Sequence, residues 1–193
     1  MFLNGARGQI SAIDPRRGGA DRDMSAIATG LAAEVDKALA GAEFRDEMKL
    51  SSRSEMLQLP FRDPSEEEIK GTIRGAQRFV DPAIYDRMMP ELLEEFKTQG
   101  KQPAEVQVIS ADEFDFVSMP CELFVELGLA IKERAHPRRA VVVGLANGMV
   151  GYVPTKAAFQ RGGYETTLLN TSKLGHDAGD MLVDAAVRLI KAG

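Results

Sequence analysis

Apolar residues recur at helical spacing, with polar residues between them, in several stretches of the chain. The first stretch begins after Asp21 or Asp23, either of which can cap a helix start, and it ends at Gly41. Its apolar stripe is Met24, Ile27, Ala28, Leu31, Ala32, Val35 and Leu39. We therefore predict a packing helix here, with the stripe buried against a core.

Two Asp-Pro pairs mark further helix starts. Asp63-Pro64 precedes the acidic run Glu66-Glu67-Glu68, which favours a helix N-terminus over a metal site because acidic residues stabilise the first turn. Asp81-Pro82 begins a second helix that continues to Gly100, with a kink expected at Pro90. The apolar faces of these two helices are Ile69, Ile73, Ala76 and Phe79, then Ile84, Tyr85, Met88, Met89, Leu92, Leu93 and Phe96.

Other stretches favour strands. Residues 44–60 alternate imperfectly and predict a strand or a hairpin. Residues 105–109 alternate clearly after a predicted break at Gln102-Pro103, and the run 114–117 leads to Pro120, where a helix over 121–134 is predicted to begin at once.

Two patterns complete the chain. Residues 141–146 and 149–154 flank the turn signal Asn147-Gly148 and predict a hairpin. A last helix, from Asp177 or Gly179, is predicted to bury Leu182, Ala185, Ala186, Leu189 and Ile190. Together these elements predict an α/β fold in which a mixed β-sheet is flanked by helices.

Composition narrows the class of protein. The chain has 193 residues, 44% of them apolar and 27% charged, which is typical of globular proteins. A net charge of −5 does not support a nucleic-acid footprint, and no apolar run approaches the ~20 residues of a transmembrane segment. A single Cys cannot form an internal disulfide. Nothing in the sequence has the pattern of a secretory signal, so the location stays open and is cytoplasmic only if the chain is expressed as given.

Candidate chemistry centres on Glu122 and Tyr152. Glu122 stands where a strand gives way to the predicted helix, so a rigid strand end and a helix dipole could both fix its carboxylate; ordinary first-turn dipole chemistry is the alternative. Tyr152 lies between Gly151 and Pro154 with little bulk beside it. His136 and His176 do not fall in a paired ligand spacing such as H-E-x-x-H.

Three segments, in order and spacing, resemble the catalytic domain of neutral (neutral/alkaline non-lysosomal) ceramidases. Residues 116–124 resemble the family's F-x-S-x-P-G-E-x-F, residues 144–154 its G-L-A-N-G-x-x-G-Y-x-P, and residues 162–165 its G-G-Y-E. The family comprises zinc amidohydrolases that cleave the amide of N-acylsphingosine. The resemblance implies that Glu122 and Tyr152 are zinc ligands and that Tyr164 hydrogen-bonds beside the scissile amide. Cys121 replaces the Gly that usually precedes the ligand Glu, and it could crowd the site or supply a thiolate.

The first residues extend the resemblance. Residues 1–8 look like the middle of a domain, since an apolar strand reaching a Gly-rich turn usually has neighbours upstream. The resemblance implies that the chain corresponds to the C-terminal half of the family's catalytic domain and that two His ligands lie in a missing N-terminal half. Ser11 stands where some members carry an active-site Ser, although Gln9 and Ala12 replace the usual Asp and Pro. The residues alone favour a turn or cap role for Ser11.

The patterns and the resemblance together predict the domain, the function and the partners of the chain. Residues 1–193 form a single domain or part of one, resembling the C-terminal half of that catalytic domain. The implied function is a zinc amidohydrolase that hydrolyses a lipid amide such as ceramide to sphingosine and fatty acid. It is incomplete here because the His ligands are missing, so we expect zinc binding by this chain alone to be weak or absent. A missing N-terminal half or a second copy of the chain is the expected partner. The alternative is a non-catalytic remnant, a binding or oligomerisation domain that keeps the fold.

Overall fold

The computed structural model describes residues 2–11, 16, 24–72 and 82–193. Its contacts divide the chain into two compact units, one formed by Met1–Gln9 with Lys49–Gly193 and the other by Ile10–Met48. The first unit holds a mixed β-sheet with helices, so the predicted α/β class is confirmed.

The described elements are numbered in chain order. The strands are β1 (Leu50–Pro60), β2 (Lys101–Ala111), β3 (Phe114–Met119), β4 (Glu122–Leu123), β5 (Arg139–Gly144) and β6 (Tyr152–Val153). The helices are α1 (Met24–Ala40), α2 (Glu66–Ile69), α3 (Pro82–Gln99), α4 (Val125–Ala135), α5 (Lys156–Arg161) and α6 (Ala178–Lys191). A 3₁₀ turn, Tyr164–Thr166, follows α5.

The main sheet has the strand order β1-β2-β3-β5. The first three strands are antiparallel, and β5 runs parallel to β3. Pro103 lies inside β2, opposite Gln58, so the predicted break at Gln102-Pro103 is wrong. β3 pairs only with residues 107–111 of β2, so Pro103 has no strand on that side. Proline is tolerated at such an unpaired edge because it has no N–H to donate to a neighbouring strand.

Helices α4 and α6 cover one face of this sheet. The last helix pattern is confirmed for Leu182, Ala185, Ala186 and Ile190 of α6, which are buried. Leu189, predicted with them, is only partly buried. The buried residues pack in one core with alternate residues of three strands, Val106 and Val108, Val117, and Val142. At roughly 1.5–3 kcal/mol for each fully buried large aliphatic side chain, this shared core is the main source of stability of the first unit.

The predicted hairpin between residues 141 and 154 is wrong. β5 belongs to the main sheet, whereas β6 pairs in parallel with β4 to form a separate two-stranded sheet. The loop between them hydrogen-bonds to an earlier segment, because the N–H groups of Leu145 and Val150 donate to the carbonyls of Cys121 and Pro120. Asn147 turns with a φ of 63°, as its turn signal suggested, but the turn leads away from β5.

The helix predicted from residue 121 begins later. Glu122 and Leu123 form β4, Phe124 is the N-cap, and α4 starts at Val125. Glu122 therefore does not lie in the first turn of a helix, and the dipole explanation of its position is wrong. Backbone pairing with β6 keeps the chain extended at this point, which overrides the helical pattern.

The earlier helix patterns are confirmed in part. α1 forms where predicted, but none of its residues is buried, so the expectation that it packs against a core is wrong. α2 begins after the cap residue Ser65, whose side chain and that of Glu68 form a capping box. The predicted face Ile73, Ala76 and Phe79 lies outside the described residues. α3 contains Pro90 and ends before Gly100, which has a φ of +66°.

Residues 44–60 contain one strand, β1, rather than a hairpin. Among the described residues, no helix is both long enough and apolar enough to cross a membrane.

Candidate functional site

The two-stranded sheet places Glu122 beside Tyr152. These residues are direct partners in the parallel pair of β4 and β6. The N–H of Glu122 donates to the carbonyl of Gly151 at 2.9 Å, and the N–H of Phe124 donates to the carbonyl of Val153 at 3.2 Å. Partner residues on neighbouring strands have their side chains on the same face, so a carboxylate and a phenol share one surface.

The two side chains are electrostatically coupled. The pKa of Tyr152 is raised to about 12, first because burial disfavours the phenolate, then because of the nearby Glu122 charge, Tyr164, and a side-chain hydrogen bond with Glu122. The Glu122 side chain is only 17% exposed, so its charge acts through little solvent. At neutral pH the Tyr152 hydroxyl therefore stays protonated, and it hydrogen-bonds to the side chain of Glu122.

Tyr164 joins this pair from the 3₁₀ turn. Its ring meets the Tyr152 ring edge to face, with 5.7 Å between the ring centroids and an angle of 80° between the planes. This is a favourable geometry for two aromatic rings. Because Tyr164 is 42% exposed, it can meet both Tyr152 and a bound molecule. Three of the residues implied by the resemblance, Glu122, Tyr152 and Tyr164, therefore lie together in the first unit.

A close backbone approach holds the site. The N–H of Tyr152 donates to the carbonyl of Thr171 at 2.6 Å. The preceding residue, Gly151, has a φ of +96°, and a Cβ there would lie 2.7 Å from the carbonyl carbon of Thr171. Only glycine combines this backbone conformation with so close a neighbour.

The first residues of the chain also contribute to the site. The N–H of Gly8 donates to the carbonyl of Leu123 at 2.8 Å, which brings Arg7 to 4.0 Å from the carboxylate of Glu122. The side chain of Gln9 accepts a hydrogen bond from the N–H of Val125 at 2.9 Å, so it caps α4, whose own N-cap residue is Phe124. Sequence reasoning missed both contacts; the departure at Gln9 from the family's Asp marked that position but did not indicate its partner.

The sequence also singled out Ser11 and Cys121. Ser11 belongs to the unit Ile10–Met48, and its part in the chemistry stays a prediction. Cys121 is fully buried in the core of the first unit. Burial, with a smaller contribution from the Glu122 charge, raises the pKa of its thiol well above the usual value, so the suggestion that Cys121 supplies a thiolate is wrong. Its side chain faces the core instead of crowding the site.

The residues fit part of a metal site. A carboxylate and a phenol give two adjacent oxygen donors, whereas a catalytic zinc usually has three protein ligands and one open position. Within residues 2–11, 16, 24–72 and 82–193 no group of three His, Cys, Asp or Glu side chains could hold a metal ion. His176 stacks on the ring of Phe159, at 4.0 Å between centroids, which is a packing role.

The fold of this chain is similar to that of solved ceramidase structures. The chain is similar to the crystal structure of neutral ceramidase from Pseudomonas aeruginosa, with a TM-score of 0.52 and 17% identity, over 98% of this chain and 35% of that one. A ceramidase complexed with C2 is matched at a TM-score of 0.47 and 13% identity, over 81% of this chain and 31% of that one. This chain thus spans about a third of the first ceramidase, and the likeness is one of fold. The sequence matches no protein-family model, and no curated protein matches it.

Proposed function

We propose that this chain forms part of a neutral ceramidase-like zinc amidohydrolase that cleaves the N-acyl amide of a lipid such as ceramide. The observation that carries the proposal is the contact of three side chains, Glu122 beside Tyr152 and Tyr152 against Tyr164, on a fold that is similar to a neutral ceramidase. The order of the three motifs that supply these residues supports it.

In this proposal Glu122 and Tyr152 are two of the zinc ligands. The remaining ligands would come from outside the described residues, either from a longer form of the protein or from a partner chain. Zinc at such a site would polarise an amide carbonyl and lower the pKa of a bound water. Arg7 is an exposed cation 4.0 Å from Glu122, so its side chain would swing away as a metal ion takes its place.

The chain's own groups have distinct parts in the proposed reaction. The carboxylate of Glu122 supplies negative charge on a rigid strand, and Tyr152 supplies a second oxygen beside it. Tyr164 would donate a hydrogen bond to the amide oxygen as negative charge develops there, and its exposed ring leaves that oxygen within reach. Ser11 is a further proposed catalytic residue.

The test is hydrolysis of a short-chain N-acylsphingosine with zinc present, by the natural protein in its full length. We expect Tyr164→Phe to lower kcat by about 100-fold, the size of effect seen when a donor to a developing oxyanion is removed. Tyr85→Phe is the matched control, because it also removes one tyrosine hydroxyl. Tyr85 is buried in a cluster with Met89 and Leu92 of α3, and its hydroxyl donates to the carbonyl of Glu68. Equal activity of the two variants would contradict the role of Tyr164, and absence of zinc-dependent hydrolysis would contradict the function.

A second candidate is a non-catalytic domain that forms oligomers with its own copies. The observation that favours it is the apolar face of the main sheet opposite α4 and α6. A depression of about 320 Å³ there is lined by residues that include Leu3, Ile109, Phe116 and Val143, and Ile109 is 44% exposed. If this candidate is correct, sedimentation will show a dimer that Ile109→Glu dissociates, with no hydrolysis by either protein.

A further inference from the structure

Arg62 is a buried arginine just after β1. The residue is 5% exposed, and arginine is rarely buried without partners. Its backbone N–H donates to the carbonyl of Lys173 at 3.0 Å, and the neighbouring residue Phe61 forms a β-bridge with Leu174. These backbone contacts place Arg62 next to the segment of residues 163–172.

The guanidinium of Arg62 joins Thr166 to Ser172 within that segment. Nη1 donates to the carbonyl of Thr166 at 3.0 Å. Nη2 donates to the carbonyl of Ser172, and to the Oγ of Ser172 at 2.9 Å. That Oγ in turn donates to the carbonyl of Glu165 at 2.6 Å. One side chain therefore fixes residues 165–166 and residue 172 relative to each other.

The surroundings keep this charge in place. Glu68 lies 3.3 Å from Nη1, and the guanidinium stands over the ring of Phe159, 5.1 Å from its centroid. Burial lowers the pKa of Arg62, and the Glu68 charge opposes that shift. Hydrogen bonds from a charged donor are stronger than neutral ones, and the planar fork of arginine can reach several acceptors at once. Lysine at this position has one nitrogen and cannot span the same acceptors.

The segment that Arg62 holds supplies two parts of the candidate site. At one end is Tyr164, whose ring meets the Tyr152 ring. At the other end is the carbonyl of Thr171, which accepts the hydrogen bond from the N–H of Tyr152. The contact between the two phenols therefore depends on the distance between the ends of the segment.

We propose that Arg62 is a positioning residue that sets Tyr164 against Tyr152 by tying two parts of residues 163–172 together. Its meaning for catalysis rests on the proposed function, whereas its effect on the two rings does not. The rest of the segment is held by other means, since Leu168 and Leu169 pack against α3. Loss of the guanidinium fork is thus expected to loosen the placement of Tyr164 without unfolding the segment.

The experiment is NMR of the purified protein labelled with ¹³C in its tyrosine rings, which number three in the sequence. The variants are Arg62→Lys, which keeps a charge but loses the fork, and Ser172→Ala, which removes only the Oγ link. Arg138→Lys is the matched control, because Arg138 makes a two-pronged ion pair with Asp115 in a different part of the same unit. Hydrolysis of N-acylsphingosine is measured in parallel.

We expect the ring signals of Tyr152 and Tyr164 to shift in Arg62→Lys and Ser172→Ala but not in Arg138→Lys. We also expect kcat to fall by a factor on the order of 10 to 100 in Arg62→Lys, with little change in KM, because a displaced group costs rate more than binding. Unchanged ring signals in both variants would overturn the proposal. If the ring signals shift but the wild-type protein does not hydrolyse the amide, the proposed function fails and the positioning role of Arg62 stands.

Discussion

Replacement of Gly151 by alanine tests the backbone junction beneath the candidate site. The junction is the point where Gly151 passes the carbonyl of Thr171 and where the N–H of Tyr152 donates to that same carbonyl. A methyl group at Gly151 would overlap the Thr171 carbonyl, so one of the two segments must move. The change therefore strains the chain and also breaks a hydrogen bond of the site.

The magnitude follows from three separate effects. A left-handed backbone costs a non-glycine residue roughly 1–2 kcal/mol, and Gly151 has a φ of +96°. Loss of the Tyr152 hydrogen bond costs about 1 kcal/mol. Pushing a backbone carbonyl aside in a packed region costs about 1–3 kcal/mol more. We expect the free energy of unfolding to fall by about 3 to 6 kcal/mol, the range that these effects give together.

Gly100→Ala is the matched control. Gly100 also has a positive φ, +66°, but a Cβ there would meet nothing within 4 Å. Its substitution should therefore cost only the left-handed strain, roughly 1–2 kcal/mol. The difference between the two variants isolates the close approach to Thr171.

The assay is urea unfolding followed by tyrosine fluorescence. The sequence has no Trp and three Tyr, and Tyr85, Tyr152 and Tyr164 all lie in the unit that contains the candidate site. The signal therefore reports that unit alone. If Gly151→Ala costs no more than Gly100→Ala, then Thr171 does not press on residue 151, and this reasoning about the junction is refuted.

Three further predictions concern the support of the site. Burial disfavours the charge on Asp115, but hydrogen bonds from Arg138 and Ser110 outweigh this effect and lower the pKa of its carboxyl. The ionised Asp115 therefore stabilises the fold at pH values above the ordinary Asp pKa of about 3.9. This stabilisation is lost as the pH falls through the lowered pKa of Asp115. The Arg138→Met variant lacks the ion pair, so its free energy of unfolding should fall less over this acid range than that of the wild type. Gln9→Ala should lower the free energy of unfolding by about 1 kcal/mol in urea, because α4 loses its cap, and an unchanged midpoint would contradict this. The buried thiol of Cys121 should resist a thiol reagent in native buffer and react once urea unfolds the chain, so rapid labelling of the native protein would contradict its burial.

Long amphipathic patterns predicted the framework of the fold. α3 and α6 formed where apolar residues recur every three or four positions, and β2 formed where they alternate. α1 shows the limit of such patterns: apolar residues recur every three or four positions along it, yet none of its residues is buried. A periodic stripe shows that a helix can bury one face, but it does not show what covers that face.

The candidate site could not be found from periodicity. β4 and β6 are two residues long, and a two-residue strand has no alternation to detect. Glu122 and Tyr152 were identified through motifs that resemble a family, and the structure then placed them in direct register. The contacts of Arg7 and Gln9 link positions more than 110 residues apart, and those of Arg62 link residues at similar separations, so no local signal could have indicated them.

Zinc binding measured by titration calorimetry tests the central claim most directly, namely that Glu122 and Tyr152 form one metal-binding surface. We expect Glu122→Gln and Tyr152→Phe each to weaken zinc binding at least about tenfold, which corresponds to about 1.4 kcal/mol. Glu133→Gln, an exposed carboxylate on α4, and Tyr85→Phe serve as matched controls and should leave the affinity unchanged. Equal zinc affinity in all five proteins, the wild type included, would contradict the claim.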